Sequence, residues 1–226
     1  MTTRHAAVLL KIIQLLEKWD YRVWWDILNT KDHGVAHNRP RLYMVAIRAD
    51  SLRHDFEFPA KIALARRAKH IVMKAPGDSS RKLPVRDRER RLVKKAYEKC
   101  KRKGTNPHNT PVLVDVGCSV KFAASAIAIL PCLTATRGAA CGRGHWCSTV
   151  GRHLSLMELF QLQGFDADEA SKIMSAMQSA NPGTAPSNAE VGRMLGNTMS
   201  LNVVERVLVK ALLAAGLARN LQDRWA

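Results

Sequence analysis

The run RLYMVAIR, Arg41 to Arg48, limits what this chain can build more than any other segment. Its six central residues are apolar without interruption. A strand made of them has no face for water and must be covered on both sides, as in the sheet of an α/β protein. Upstream, YRVWWDIL (21–28) is rich in aromatic and branched residues and predicts a second strand. A polar loop from Asn29 to Pro40 links the two. Ahead of them, AAVLLKIIQLLEK (6–18) places Leu9, Ile12, Ile13 and Leu16 on one helical stripe. The chain thus opens as helix, strand, loop, strand.

From about residue 51 the regularity fades. Pro59, Pro76-Gly77, Pro84, Gly104, Pro107 and Pro111 punctuate a segment whose clearest element is a basic helix over 86–103. VLVDVG (112–117) predicts a strand and AIAIL (126–130) another, whereas the glycine- and cysteine-rich stretch from Gly138 to Arg152 reads as loop. Helical signals return in LSLMELFQLQGF (154–165). There Ser155 and Glu158 stand at capping-box spacing and Gly164 suits a helix end. Helices are predicted over 166–180, from the cap Ser187 to Leu195, and over 199–218, with a loop at 182–186. No internal repeat is present.

Charge is concentrated rather than spread. The chain carries a formal +17. Residues 61–103 hold 17 Lys and Arg against 4 Asp and Glu, whereas 151–226 balance. Such a field suits a polyanion, nucleic acid first among them, although a solvated basic insertion has the same composition. Arg86, Arg88, Arg90, Arg91, Lys94, Lys95, Lys99, Lys101, Arg102 and Lys103 are the candidate DNA-binding residues. On a helix they would surround most of the circumference, which favours phosphate contacts over base readout. Only Tyr97 interleaves them, which argues against single-strand stacking.

No apolar run approaches the ~20 residues that span a bilayer, so neither a membrane protein nor a secreted one is expected. The five cysteines include no Cys-x-x-Cys pair. Cys141, His145, Cys147 and His153 are the densest cluster, and their spacing fits no common zinc pattern. Free thiols in a reducing compartment, and no metal, are expected.

Three blocks carry a resemblance. The first is Asp32-His33-Gly34-Val35-Ala36-His37-Asn38-Arg39-Pro40-Arg41, running into the apolar strand. The second is Arg152-x-Leu154-Ser155-x-x-Glu158-x-x-x-Leu162-Gln163-Gly164-Phe165. The third is Gly196-Asn197-Thr198-Met199. In this order, around a variable basic segment, they resemble the DNA (cytosine-5)-methyltransferases. His37 stands where that family has Gln, Ala36 and Asp166 where it has Pro, and Met157 and Gln161 where it has Arg. The family's glycine-rich cofactor loop, Pro-Cys-Gln nucleophile and Glu-Asn-Val block do not occur in residues 1–28. Pro131-Cys132 mimics the nucleophile loop, but Leu133 replaces the Gln, and Cys132 is expected to be a buried structural thiol.

The resemblance implies an α/β fold: the last strands and final helix of a partial Rossmann-like methyltransferase sheet, with an inserted, irregular basic target-recognition region. It assigns 1–50 to the cofactor-dependent catalytic domain, 51–150 to target recognition and 151–226 to a helical segment that braces the recognition region and returns. It implies that Arg41 reaches the O2 of a cytosine turned out of the duplex. Arg39 would support that pocket, and Asn197 and Thr198 would meet S-adenosyl-L-methionine, shared with a nucleophile-bearing half. The implied partners are DNA and, if the enzyme is split, a separate amino-terminal catalytic chain. The isolated chain is expected to be inactive. Two other readings stay open, a non-catalytic nucleic-acid-binding module or split-enzyme partner, and a tRNA cytosine-5 methyltransferase. The implied location is nuclear in a eukaryote and otherwise cytoplasmic or nucleoid.

Overall fold

The computed structural model describes residues 3–72, 82–139, 144–179 and 185–226. Helix α1 (Thr3–Lys18) leads into β1 (Tyr21–Asn29), β2 (His33–Val35) and β3 (Pro40–Arg48). β1 and β3 pair antiparallel over nine residues each, with Trp24 opposite Val45 and Asp26 opposite Tyr43. Alternation gives the pair two faces. Trp24, Leu28, Tyr43, Val45 and Ile47 pack with Phe56 and with Val203, Val207 and Ala214 of helix α8 (Leu201–Ala214). On the other face Trp25, Ile27 and Leu42 remain 44, 50 and 41% exposed. No strand among the described residues pairs with either outer edge. The apolar run therefore forms the expected strand, but only one of its faces is fully covered. Helix α1 turns Leu9 inward and leaves Ile12 exposed, together with Val8 and Leu15.

The loop predicted over 29–40 contains β2, which pairs in parallel with β4 (Ile62–Arg66). Three residues are too few to show a period in sequence, yet all three are buried.

The middle of the chain is more ordered than its composition suggests. Past α2 (Ala68–Ile71) and α3 (Asp87–Arg102), strands β5 (Val112–Asp115), β6 (Ser125–Ile127), β7 (His145–Cys147) and β8 (Arg152–His153) form an antiparallel sheet in the order β6-β5-β7-β8. The expected irregular region thus has a sheet of its own, and the stretch from Gly138 to Arg152 contains β7 and the first residue of β8. Nor do basic residues surround α3. It buries Leu92, Val93, Ala96, Tyr97 and Cys100 against Val112, Val114, Val116 and Trp146. Each fully buried Leu or Val there contributes about 1.5–3 kcal/mol relative to exposure. The cations keep the remaining arc.

The other face of β5 and β7, through Leu113 and Cys147, joins a core with Leu130, Leu133, Leu154, Leu159, Leu162, Val191 and Leu195. This core ties the middle sheet to α4 (Ala135–Ala139), α5 (Leu156–Leu162), α6 (Ala167–Ser179) and α7 (Asn188–Asn197). Helices α5 and α7 both begin with full capping boxes, Ser155 with Glu158 and Ser187 with Glu190. Helices α4 and α7 cross with Gly138 on Gly192, where a Cβ on either glycine would collide with the other's carbonyl. No described helix is long and apolar enough to cross a membrane, and no three potential metal ligands cluster among the described residues. Cys141 lies outside the described residues.

His145 is fully buried on β7 opposite Asp115, and neither ring nitrogen has a hydrogen-bond partner among the described residues. Burial, only partly opposed by Asp115, pulls its pKa down to about 4. The unfolded chain then binds the extra proton first. His145 therefore imposes no protonation cost on folding above pH ~6.5 and increasingly opposes folding as pH falls toward about 4. Replacing His145 with Leu should leave stability near neutral pH unchanged or higher and flatten its fall between pH ~6.5 and ~4. Urea unfolding across that range checks this, and an unchanged acid slope would count against it.

Candidate functional site

The three sequence blocks meet in one buried hydrogen-bond network. Its centre is Arg39, at the start of β3 and 2% exposed. Its Nη1 donates to the Leu133 carbonyl, and its Nη2 donates to the carbonyls of Gly196 at 2.9 Å and Thr198 at 2.7 Å. Burial, then the nearby Arg41, draws the Arg39 pKa below its ordinary value, but a guanidinium stays charged in proteins. Three carbonyl dipoles offset the cost of burying that charge.

His37, two residues earlier, holds the same residue, Leu133, through its N–H. Its Nε2 accepts from the Leu133 N–H at 3.0 Å, while Nδ1 lies 3.0 Å from the Leu162 carbonyl. Those partners require a neutral imidazole with the proton on Nδ1. Burial first and Arg39 second push its pKa well below the ordinary value, which agrees.

The second block joins through Gln163, which is fully buried. Its carboxamide donates to the Leu195 carbonyl at 2.8 Å and accepts from the Ser200 hydroxyl at 2.9 Å. Ser200 in turn accepts from Thr30 at 2.7 Å. Asn202 donates to the His33 carbonyl at 2.6 Å. Arg152 holds the buried Glu158 through two nitrogens, at 2.8 and 2.7 Å, and the Ser155 N–H adds a third bond at 2.7 Å. Thr30, Ser200 and Asn202 are not singled out by the sequence, since single polar residues beside matched motifs carry no periodic signal, and His37 stands out there only as a departure from the family's Gln.

Arg41 differs from Arg39. It is half-buried, with Nη1 on the Pro40 carbonyl at 2.7 Å and Nη2 3.5 Å from Cys132 Sγ. Cys132 is part-exposed beside both arginines rather than buried, because Pro131-Cys132 precedes the peptide that His37 and Arg39 hold. Asn197 ends α7 exposed, with no partner for its carboxamide among the described residues. The Thr198 hydroxyl donates to the Met194 carbonyl at 2.9 Å. An unpartnered carboxamide and a hydroxyl with free lone pairs fit the amino-acid end of S-adenosyl-L-methionine.

The basic residues separate into two groups. Arg88 donates to the carbonyls of Gly117 and Cys118, Arg90 to those of Pro84 and Val85, and Lys95 to that of Val120. Arg86 lies 3.5 Å from Glu89. Arg91, Lys94, Lys99, Lys101, Arg102 and Lys103 are exposed without partners among the described residues. Arg66, also in the charged segment, holds the Gly164 and Phe165 carbonyls and lies over Trp225.

Residues 1–212 match the C-5 cytosine-specific DNA methylases, and the chain belongs to that family. It is 37% identical over 57 residues to the type II methyltransferase M2.ScrFI of Lactococcus lactis subsp. cremoris, covering 25% of this chain and 15% of that protein. To the type II methyltransferase M.FnuDI of Fusobacterium nucleatum it is 35% identical over 63 residues, or 28% and 18%. The fold is similar to that of the Entamoeba histolytica methyltransferase EhMeth, with a TM-score of 0.53 and 14% identity over 94% of this chain and 59% of that one. The chain thus spans under a fifth of the curated relatives it matches and about three fifths of the solved structure.

Substituting Arg39 with Met leaves three carbonyls unpaired in the core and should cost about 3 kcal/mol or more. Arg41 to Met should cost under about 1 kcal/mol. Denaturant unfolding compares them, and equal losses would contradict the division of labour between the two arginines.

Proposed function

We propose that this chain is the target-recognition and closing portion of an S-adenosyl-L-methionine-dependent DNA (cytosine-5)-methyltransferase, and that it works with a nucleophile-bearing portion. The observation that carries the reading is the network around Arg39. It joins the first and third family blocks through Arg39 and brings in the second through His37, at the Leu162 carbonyl, and Gln163, near the Thr198 carbonyl; beside it the Arg41 guanidinium is half-exposed and held at one nitrogen by a carbonyl. A planar cation so anchored suits a hydrogen bond to the O2 of a cytosine turned out of the helix. There it would stabilise charge that develops on the ring. Arg39 acts through the backbone it holds, as a positioning residue. Asn197 and Thr198 bind one end of the cofactor, which supplies the methyl group when bound.

The sheet supports the same reading. Two strands alone are marginal in water. Here, among the described residues, they keep two unpaired edges and a partly exposed apolar face with Trp25, Ile27 and Leu42. Further strands from the nucleophile-bearing portion, whether in the same polypeptide or a separate one, would pair those edges and cover that face. The basic segment binds DNA, and the exposed cations on α3 and at its C-cap Lys103, without partners among the described residues, add a field that attracts the duplex.

A tritiated-methyl transfer assay on duplex DNA with S-adenosyl-L-methionine tests the reading. The purified 226-residue chain should give no incorporation, because Cys132 is followed by Leu133 rather than the family's Gln and no Glu-Asn-Val block accompanies it. Incorporation by the chain alone, abolished in Cys132→Ser, would overturn the reading and make Cys132 the nucleophile.

A further inference from the structure

Two open cavities flank the start of α3, about 450 and 340 Å³ in volume, and share Arg86 and Glu89 as a common wall. The larger is lined by Arg88 and Arg137, the smaller by Lys82 and Arg152. Together they make a trough with five cationic side chains and one carboxylate. Glu89 is already engaged, by Arg86 at 3.5 Å and by His153 at 3.3 Å.

The arginines of the larger cavity are built in. Arg137 Nε donates to Asp115 Oδ1 at 2.8 Å, and the same carboxylate oxygen accepts the Gly117 N–H at 2.9 Å. The seat needs a glycine, since a Cβ at Gly117 would lie 2.7 Å from Arg137 Nε. Arg88 is held through Nη2 by the carbonyls of Gly117 and Cys118. Each guanidinium is fixed at one nitrogen, and its other nitrogens have no partner among the described residues. Phosphate oxygens accept well from such a pre-ordered fork.

We propose that this trough, rather than the outer surface of α3, seats the DNA strand, with Arg137, Arg88, Arg86 and Lys82 as its phosphate ligands. The inference rests on the DNA-binding reading above and deepens it. Concave walls of low dielectric focus a field that convex, solvated lysines such as Lys94 and Lys101 do not. The placement also links anchoring to the pocket. Arg137 lies five residues after Cys132, at most ~18 Å along an extended chain, so the strand is held within a few nucleotides of Arg41.

The test is fluorescence anisotropy of a labelled duplex of about 20 base pairs, titrated with the full chain at several salt concentrations. The double variant Lys82→Gln/Arg86→Gln removes two exposed trough cations at little risk to the fold. It should weaken binding about tenfold or more and lower the salt slope by about 2. The outer pair Lys94→Gln/Lys101→Gln removes the same charge and should weaken binding less than about threefold. Arg137→Lys keeps the charge but not the fork, and should weaken binding more than the outer pair does. Losses at the outer pair equal to or greater than those in the trough would overturn the proposal while leaving DNA binding intact. A wild-type chain that does not bind the duplex would overturn both.

Discussion

The rest of the structure depends on one buried cation. Arg39 sits where β3 enters the protein, and its guanidinium holds the carbonyls of Leu133, Gly196 and Thr198. These belong to segments almost a hundred and about a hundred and sixty residues away along the chain. Closing such long loops costs chain entropy, and a charge buried without partners would add several kcal/mol. Both costs are offset only in the arrangement in which all three carbonyls converge. A cation of this kind specifies an arrangement more than it adds stability, because alternatives leave it unpaired. His37 grips the N–H of Leu133 while Arg39 takes its carbonyl, so the peptides on both sides of Leu133 are fixed.

From this clamp the functional geometry follows. Leu133 is pinned, so Cys132 stands against Arg41 and α4 begins at a defined place. α4 then lies on α7 through Gly138 and Gly192 and carries Arg137 to the trough. The end of α7 returns to Arg39 through Gly196 and Thr198 and presents Asn197 outward. The proposed pocket arginine, Arg41, the proposed cofactor end and the proposed phosphate seat are therefore positioned by one continuous set of contacts.

The parts legible in sequence were those with local rules. RLYMVAIR formed a strand, the capping residues Ser155 and Ser187 began their helices, and the motif blocks proved to be neighbours in space. What escaped was set by tertiary contact. β7 has only three residues, and His145-Trp146-Cys147 has no period to display, yet it is the third strand of the middle sheet. Basic composition hid the apolar stripe of α3, because Leu92, Val93, Ala96, Tyr97 and Cys100 are spaced among ten cations. Composition also cannot separate a cation held by carbonyls, such as Arg90, from one facing solvent, such as Lys94. Arg39 and Arg41, two residues apart in one motif, have different roles for the same reason.

Arg39 and Gln163 come from different blocks and both approach the Thr198 carbonyl, at 2.7 and 3.5 Å. A double-mutant cycle between Arg39→Met and Gln163→Met, read by urea unfolding, measures whether they act as one unit. If the blocks form a single network, the two losses should fall short of additivity by about 1 kcal/mol or more. Additivity within about 0.5 kcal/mol would mean that the blocks are merely adjacent, and would contradict the account.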